Sequence, residues 1–130
     1  MSQENVGKLR RGYDAFNRGD FDAAVAFFHP DVEFFPPGDQ APYRGADELR
    51  AWMEPDAFEK QVIEPLEVTV AGNKLLVEMD VHARGAGSGI ELDMRMWNVW
   101  TFDEGGLATR VETFLEHEET KAREAAGLPE

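Results

Sequence analysis

The 130-residue chain contains no cysteine, which excludes a disulfide framework, a thiolate metal site and a cysteine nucleophile. That absence suits a reducing compartment. Long apolar runs are missing too: nowhere do about eighteen consecutive apolar residues occur, the least a membrane-spanning helix needs. The opening Met1-Ser2-Gln3-Glu4-Asn5 lacks a basic region followed by an apolar run, so the expectation is a soluble, unexported, cytoplasmic protein. Basic residues are scarce, with 13 Lys and Arg against 26 Asp and Glu, a formal charge of −13. Such a charge repels a phosphate backbone, and no cluster of Lys and Arg offsets it, so neither nucleic acid nor an anionic membrane is expected as a partner. The three histidines, His29, His82 and His117, lack the spacing of metal ligands, so no metal and no cofactor are expected. There is no internal repeat, low-complexity tract or linker, which leaves one domain over residues 1–130.

What is present begins with helices. Ser2 can cap a first helix whose Val6, Leu9, Tyr13 and Phe16 step by three and four until Gly19 ends it. Asp20 caps a short second helix over about 21–28, closed by His29-Pro30. Val32 to Phe35 predicts a short strand stopped by Pro36-Pro37-Gly38, and 47–53 predicts a third helix with Leu49, Trp52 and Met53 on one side. The stretch 57–65 has no clear pattern. From Leu66 the period becomes two, and Gly72-Asn73, Gly85 to Gly89 and Asp103 to Gly106 punctuate four strands of an antiparallel meander. A last helix is predicted over 117–126, bounded by Gly127 and Pro129. Helices first and then strands indicate an α+β fold, N-terminal helices packed on a strongly curved antiparallel sheet that forms a cone with a pocket.

The faces of that sheet follow from charge. Joining Leu75–Arg84 to Ile90–Phe102 through the loop 85–89 sets Arg84 opposite Glu91, His82 opposite Asp93 and Asp80 opposite Arg95, three complementary pairs that a one-residue slip would break. The other face pairs Ala83 with Leu92, Val81 with Met94, Met79 with Met96 and Val77 with Asn98, and is the concave one.

This register disposes of several candidates. His82 points outward beside Asp93, and His29 and His117 lie at helix ends, where capping and dipole roles prevail. The glycine-rich 85–89 loop joins two strands with no helix N-terminus after it, so it is a hairpin and not a phosphate cradle. Ser88 has no strand-to-helix elbow. Asn98 is the one polar residue on an apolar strand face, and its amide needs partners from water, a side chain or a ligand. Glu112, on the last strand, lies either inside or outside by period two alone. Inside, desolvation would raise its pKa and poise it for acid or base work; an internal pair with Arg110 or a buried hydrogen bond is the alternative.

Tyr13-Asp14-Ala15-Phe16-Asn17-Arg18-Gly19-Asp20, His29-Pro30-Asp31-Val32-Glu33, Tyr43-Arg44-Gly45, Asn98 to Gly106 and Ala125-Ala126-Gly127-Leu128 together resemble the SnoaL-like branch of the nuclear-transport-factor-2-like superfamily, a cystatin-like cone fold. Such folds host isomerases, cyclases, epoxide hydrolases and binders without activity. The resemblance to ketosteroid isomerases implies a donor role for Asn98, whereas their base falls on Pro36 and their helix-one tyrosine on Gly12, beside Tyr13. In the limonene-epoxide-hydrolase pattern the Arg-x-Asp pair falls near Met79 and Val81, the tyrosine and asparagine fall on Phe34 and Pro36, and only the last aspartate meets an acid, Glu112. Both patterns imply that Glu112 faces the pocket.

The expected function is therefore an isomerase, cyclase or hydrolase for a small apolar molecule, with Glu112 as acid or base and Asn98 as polarising donor. Tyr13, Phe34, Trp52, Met79, Met96, Trp100 and Phe114 are expected to line the pocket. The alternative is a binding or accessory module of the same fold. A homodimer through the outer sheet face is expected as well, anchored by Trp97 beside Val99 and Thr101, because a large aromatic on an exposed strand face calls for a partner; cover of Trp97 by the last helix or a loop of the same chain is the alternative.

Overall fold

The computed structural model describes residues 2–38, 40–54 and 58–129. Its elements run α1 (Ser2–Asn17), α2 (Phe21–Val25), β1 (Phe28–Phe35), β2 (Tyr43–Arg44), α3 (Ala46–Met53), β3 (Phe58–Ala71), β4 (Lys74–Gly85), β5 (Glu91–Phe102), β6 (Ala108–Leu115), a 3₁₀ turn (Glu116–Glu118) and α4 (Glu119–Ala126). The strands form one curved, open sheet in the order β2-β1-β6-β5-β4-β3. The β4–β5 hairpin has every pair that charge complementarity predicts, from Arg84↔Glu91 and His82↔Asp93 to Val77↔Asn98.

Other boundaries move for local reasons. The second helix stops at Val25, and β1 starts at Phe28 and passes through Pro30, because its pairing with β6 skips from Phe28 to Glu33 and the irregular stretch needs no N–H from the proline. That pairing is parallel, so the sheet is mixed and not antiparallel throughout. Of the stretch without a pattern, residue 57 lies outside the described residues, while 58–65 is the first half of β3. Pro65 hid it: the residue sits at a shift in the β3–β4 register on an edge strand, where a missing donor does no harm. Asp20 caps α2 as expected, its carboxylate accepting from the Ala23 amide at 3.2 Å.

The helices cover both faces. On the concave side, Leu9, Tyr13 and Phe16 of α1 and Leu49 and Met53 of α3 share one core with Leu75, Val77, Met79, Trp100, Phe102 and Val111. On the convex side α4 lays Ala122 and Ala126 over Leu76, Trp97 and Val99. This corrects the expectation for Trp97: it is only 8% exposed, and its indole N–H donates to the Glu116 carbonyl at 3.2 Å. The small side chains of Ala122 and Ala126 let the helix come close enough to roof the ring, so Trp97 is not a free anchor for a dimer. Among the described residues no helix is long and apolar enough to cross a membrane.

Beyond the reach of α4, the convex face is a lattice of charges. His82 Nδ1 lies 2.5 Å from Asp93, Arg84 2.8 Å from Glu91, and Arg95 2.5 Å from Asp80. The hydrogen bond to Asp93, helped by the charges of Asp93, Asp80 and Glu64, raises the His82 pKa above its usual value despite some desolvation. A raised folded pKa means stability that is fully present below the unfolded value of about 6.5 and is lost as pH rises through the folded one. We expect thermal unfolding of the native chain to show this decline and His82→Gln to lack it; identical pH profiles would refute the assignment.

Candidate functional site

The concave face is built by alternation. On β5, Leu92, Met94, Met96, Asn98, Trp100 and Phe102 point inward; on β4, Leu75, Val77, Met79, Val81 and Ala83 do so opposite them. Strand β6 joins with Val111 opposite Trp100, Thr113 opposite Asn98 and Leu115 opposite Met96. That phase puts Glu112 opposite Val99 and Phe114 opposite Trp97, both on the convex face.

Two candidate site residues are thereby corrected. The Glu112 carboxylate, 19% exposed, lies 3.3 Å from Arg110 Nε, and Arg110 also reaches Glu33 at 3.8 Å and stacks on the Phe35 ring at 4.3 Å. Glu33 pairs in turn with Arg44. Glu112 is thus part of an outer charge network. Phe114 packs beneath α4 beside Trp97 and lines no concave pocket. The cause is a register shift between Thr101 and Phe102, which changes the phase of β6 relative to β5 and defeats a count carried across the turn.

Asn98 does face inward, is 5% exposed, and is fully engaged. The indole N–H of Trp100 can only donate, and it gives its proton to the Tyr13 hydroxyl oxygen at 3.0 Å. The Tyr13 hydroxyl then donates to Asn98 Oδ1 at 2.7 Å. The Glu112 main-chain carbonyl can only accept, so the amide nitrogen of Asn98 must face it, at 3.4 Å, and it also donates to Thr113 Oγ1 at 3.0 Å. Direction is therefore fixed along the whole chain from Trp100 through Tyr13 and Asn98 to Thr113. Burial drives the Tyr13 pKa above its ordinary value, against the opposing hydrogen bond from Trp100, so the phenol stays protonated. Thr113 is a member that sequence reasoning missed; a threonine in mid-strand across from a lone asparagine was the available signal.

Tyr13, Met79, Met96 and Trp100 come together in the concave core, with Tyr13 edge-on to Trp100 at 5.5 Å and Trp100 stacked on Phe28 at 5.2 Å. They fill this end of the concave side. Phe34 and Trp52, 4.6 Å apart, form a separate aromatic group with Tyr43 at the β1–α3 end. The other end is open: Leu92 and Met94 are 41% and 38% exposed on the concave row, and Ile90 just before them is 62% exposed. Two clefts, of about 300 Å³ beside His82, Arg84 and Asp93 and of about 140 Å³ beside Trp97 and Arg123, lie among charges of the convex face. Among the described residues no group of three or more His, Asp or Glu is placed to hold a metal ion.

Comparison with known proteins adds the following. No curated protein matches the chain. Among solved structures, an NTF2-like protein of unknown function from Burkholderia pseudomallei is similar at 23% identity and a TM-score of 0.77, over 89% of this chain and 93% of that one. The epoxide hydrolase/cyclase-like enzyme SalBIII, of pyran ring formation in the polyether salinomycin, is similar at 18% identity and a TM-score of 0.79, over 87% and 91%. A Mycobacterium tuberculosis protein in complex with estradiol-17β-hemisuccinate is similar at 13% identity and a TM-score of 0.73, over 83% and 90%. These likenesses concern the fold. The model of the SnoaL-like domain matches residues 9–111, from α1 through the strand that carries Val111, and by that match the chain belongs to the SnoaL-like domain family.

Proposed function

We propose that the chain binds a small apolar molecule at the open end of its concave face and releases it unchanged. The observation that carries this reading is the row Ala83, Val81, Leu92 and Met94: the first two are buried, the last two exposed, and no charge interrupts them. Apolar side chains left in water on an otherwise covered face are the usual mark of a recognition surface. The steroid ester held by the Mycobacterium tuberculosis protein of like fold supports the class of ligand.

Catalysis of the acid–base kind has less support. Among the described residues, those pointing inward from β3 to β6 are neutral, the donors of Trp100, Tyr13 and Asn98 are spent within their own polar chain, and Glu112 stands on the far side of the sheet.

A thermal-shift screen of steroids, terpenes and polyketide-like aromatics tests the proposal. A ligand present at a hundred times its Kd should add about 2.7 kcal/mol of stability. We expect Met94→Lys to abolish that gain and Glu112→Gln to keep it. Equal stabilisation of Met94→Lys, or no hit in the screen, would refute the site. Conversion of the ligand, seen by mass spectrometry and lost in Tyr13→Phe, would overturn the claim that it leaves unchanged.

A further inference from the structure

Strand β5 pairs with β4 from Glu91 onward but with β6 only from Met96. One edge of the segment Glu91 to Arg95 therefore faces no strand among the described residues. A row of free main-chain donors and acceptors is a template for another strand. The sheet's other long edge, β3, is blunted: Pro65 and a register shift interrupt it, and the Asn17 side chain takes both main-chain groups of Ile63 at 2.8 Å each. Among the described residues the β5 segment has no such block, the 3₁₀ turn at 116–118 adjoining β5 where its pairing with β6 ends. It carries no proline, pairs with β4 without a shift, and leaves Glu91, Leu92, Asp93 and Met94 exposed.

We propose that this edge pairs antiparallel with the same segment of a second copy, about a twofold axis through Asp93, joining two sheets into one. The space beyond β6 and the segment that would fill it are the same five residues, 91–95. In this register Glu91 meets Arg95 of the second copy, and Leu92 meets its Met94. On the convex side a row then runs Arg84, Glu91, Arg95 of the second copy and Asp80 of the second copy, alternating in sign throughout. On the concave side the row Ala83, Leu92, then Met94 and Val81 of the second copy stays apolar. A slip by one residue would put charges against the apolar row. Only the axis sets like charges together, Asp93 against Asp93, each hydrogen-bonded to its own His82 at 2.5 Å. The contact is a strip about 17 Å long and one strand spacing, about 4.8 Å, wide, an area well below the roughly 800 Å² per partner of a standard interface, so the dimer forms only at high protein concentration.

The cysteine-free sequence makes a sharp test possible, because Asp93→Cys places a single thiol on the axis. Under mild oxidation we expect this variant to form a covalent dimer much faster than Glu104→Cys, whose thiol sits in the exposed turn after β5. Sedimentation equilibrium should show Asp93→Asn dimerising about two- to fivefold more tightly, by loss of the like charge, and Glu91→Arg more weakly by a similar factor. Equal cross-linking of the two cysteine variants would overturn the proposal, as would a monomer–dimer constant indifferent to Asp93→Asn and Glu91→Arg. These three positions carry side chains of the convex row or the distant turn, so none of the variants alters the apolar row at Met94, and with no ligand added the outcome reads the dimer alone.

Discussion

Asn98→Asp will destabilise the chain by about 3 kcal/mol at neutral pH, and most of that loss will disappear in acid. The geometry gives the reason. A carboxylate at this position still accepts from Tyr13 and can take a proton from the Thr113 hydroxyl, but its second oxygen faces the Glu112 carbonyl, an obligate acceptor to which the native amide donates. Two acceptors in a site that is 5% exposed repel each other unless a proton lies between them. The introduced carboxyl therefore holds its proton in the folded state, with a pKa above the ordinary aspartate value of about 3.9. The folded state then binds more protons than the unfolded one. Relative stability falls as pH rises from about 4 through the folded pKa and is flat above it. Asn98→Leu, which leaves the Tyr13 hydroxyl without its acceptor and gives no new titrating group, should cost about 2 kcal/mol at every pH. Urea unfolding from pH 4 to 8 would read both. A loss for Asn98→Asp that is the same at pH 4 and pH 8 would show that the side chain escapes to solvent and that the directed chain from Trp100 is not as described.

Trp97→Ala should cost about 3 to 5 kcal/mol, the range for removing a large buried aromatic, and the loss should be concentrated in α4. Among the described residues, the convex cluster has, apart from Trp97, only Leu76, Val99, the two alanines of α4 and a fringe of Phe114, Ala125 and Leu128. Without the indole the helix loses the surface it covers, and the 3₁₀ turn loses the donor to its Glu116 carbonyl. Amide exchange over Glu119–Ala126 should become fast at denaturant concentrations where β4 and β5 remain protected. If α4 exchange is unchanged, something other than Trp97 seats the helix.

The contrast between β5 and β6 shows which parts of this fold are legible in the sequence. The β4–β5 register could be read because charged and apolar residues alternate strictly over Val77–Arg84 and Glu91–Met96, and only one alignment satisfies Arg84, His82 and Asp80 together. Strand β6 offers no such constraint: Phe114 and Leu115 are both apolar, and the shift between Thr101 and Phe102 breaks the count from the neighbouring strand. The orientation of Glu112 hung on that missing phase, and the resemblance to enzymes with an acid at this position pointed the wrong way. Trp97 failed for a different reason. Its need for cover was legible, but the cover is a helix whose buried face is two alanines, and alanine gives little hydrophobic signal in a sequence. Asn98 was legible as the odd residue on its face, although not its partners, since Tyr13 lies on the first helix and nothing local links the two.

The parallel pairing of β1 with β6 bears on how the chain reaches this state. Phe34 lies beside Val111, so β1 has no β6 partner until residues 108–115 have left the ribosome. The β3–β4–β5 meander needs only neighbours and can form while β1 waits. The later assembly step is then insertion of β6 between β5 and β1, followed by α4 folding down over Trp97, which makes residues 108–126 the ones that convert a half-sheet into a packed core.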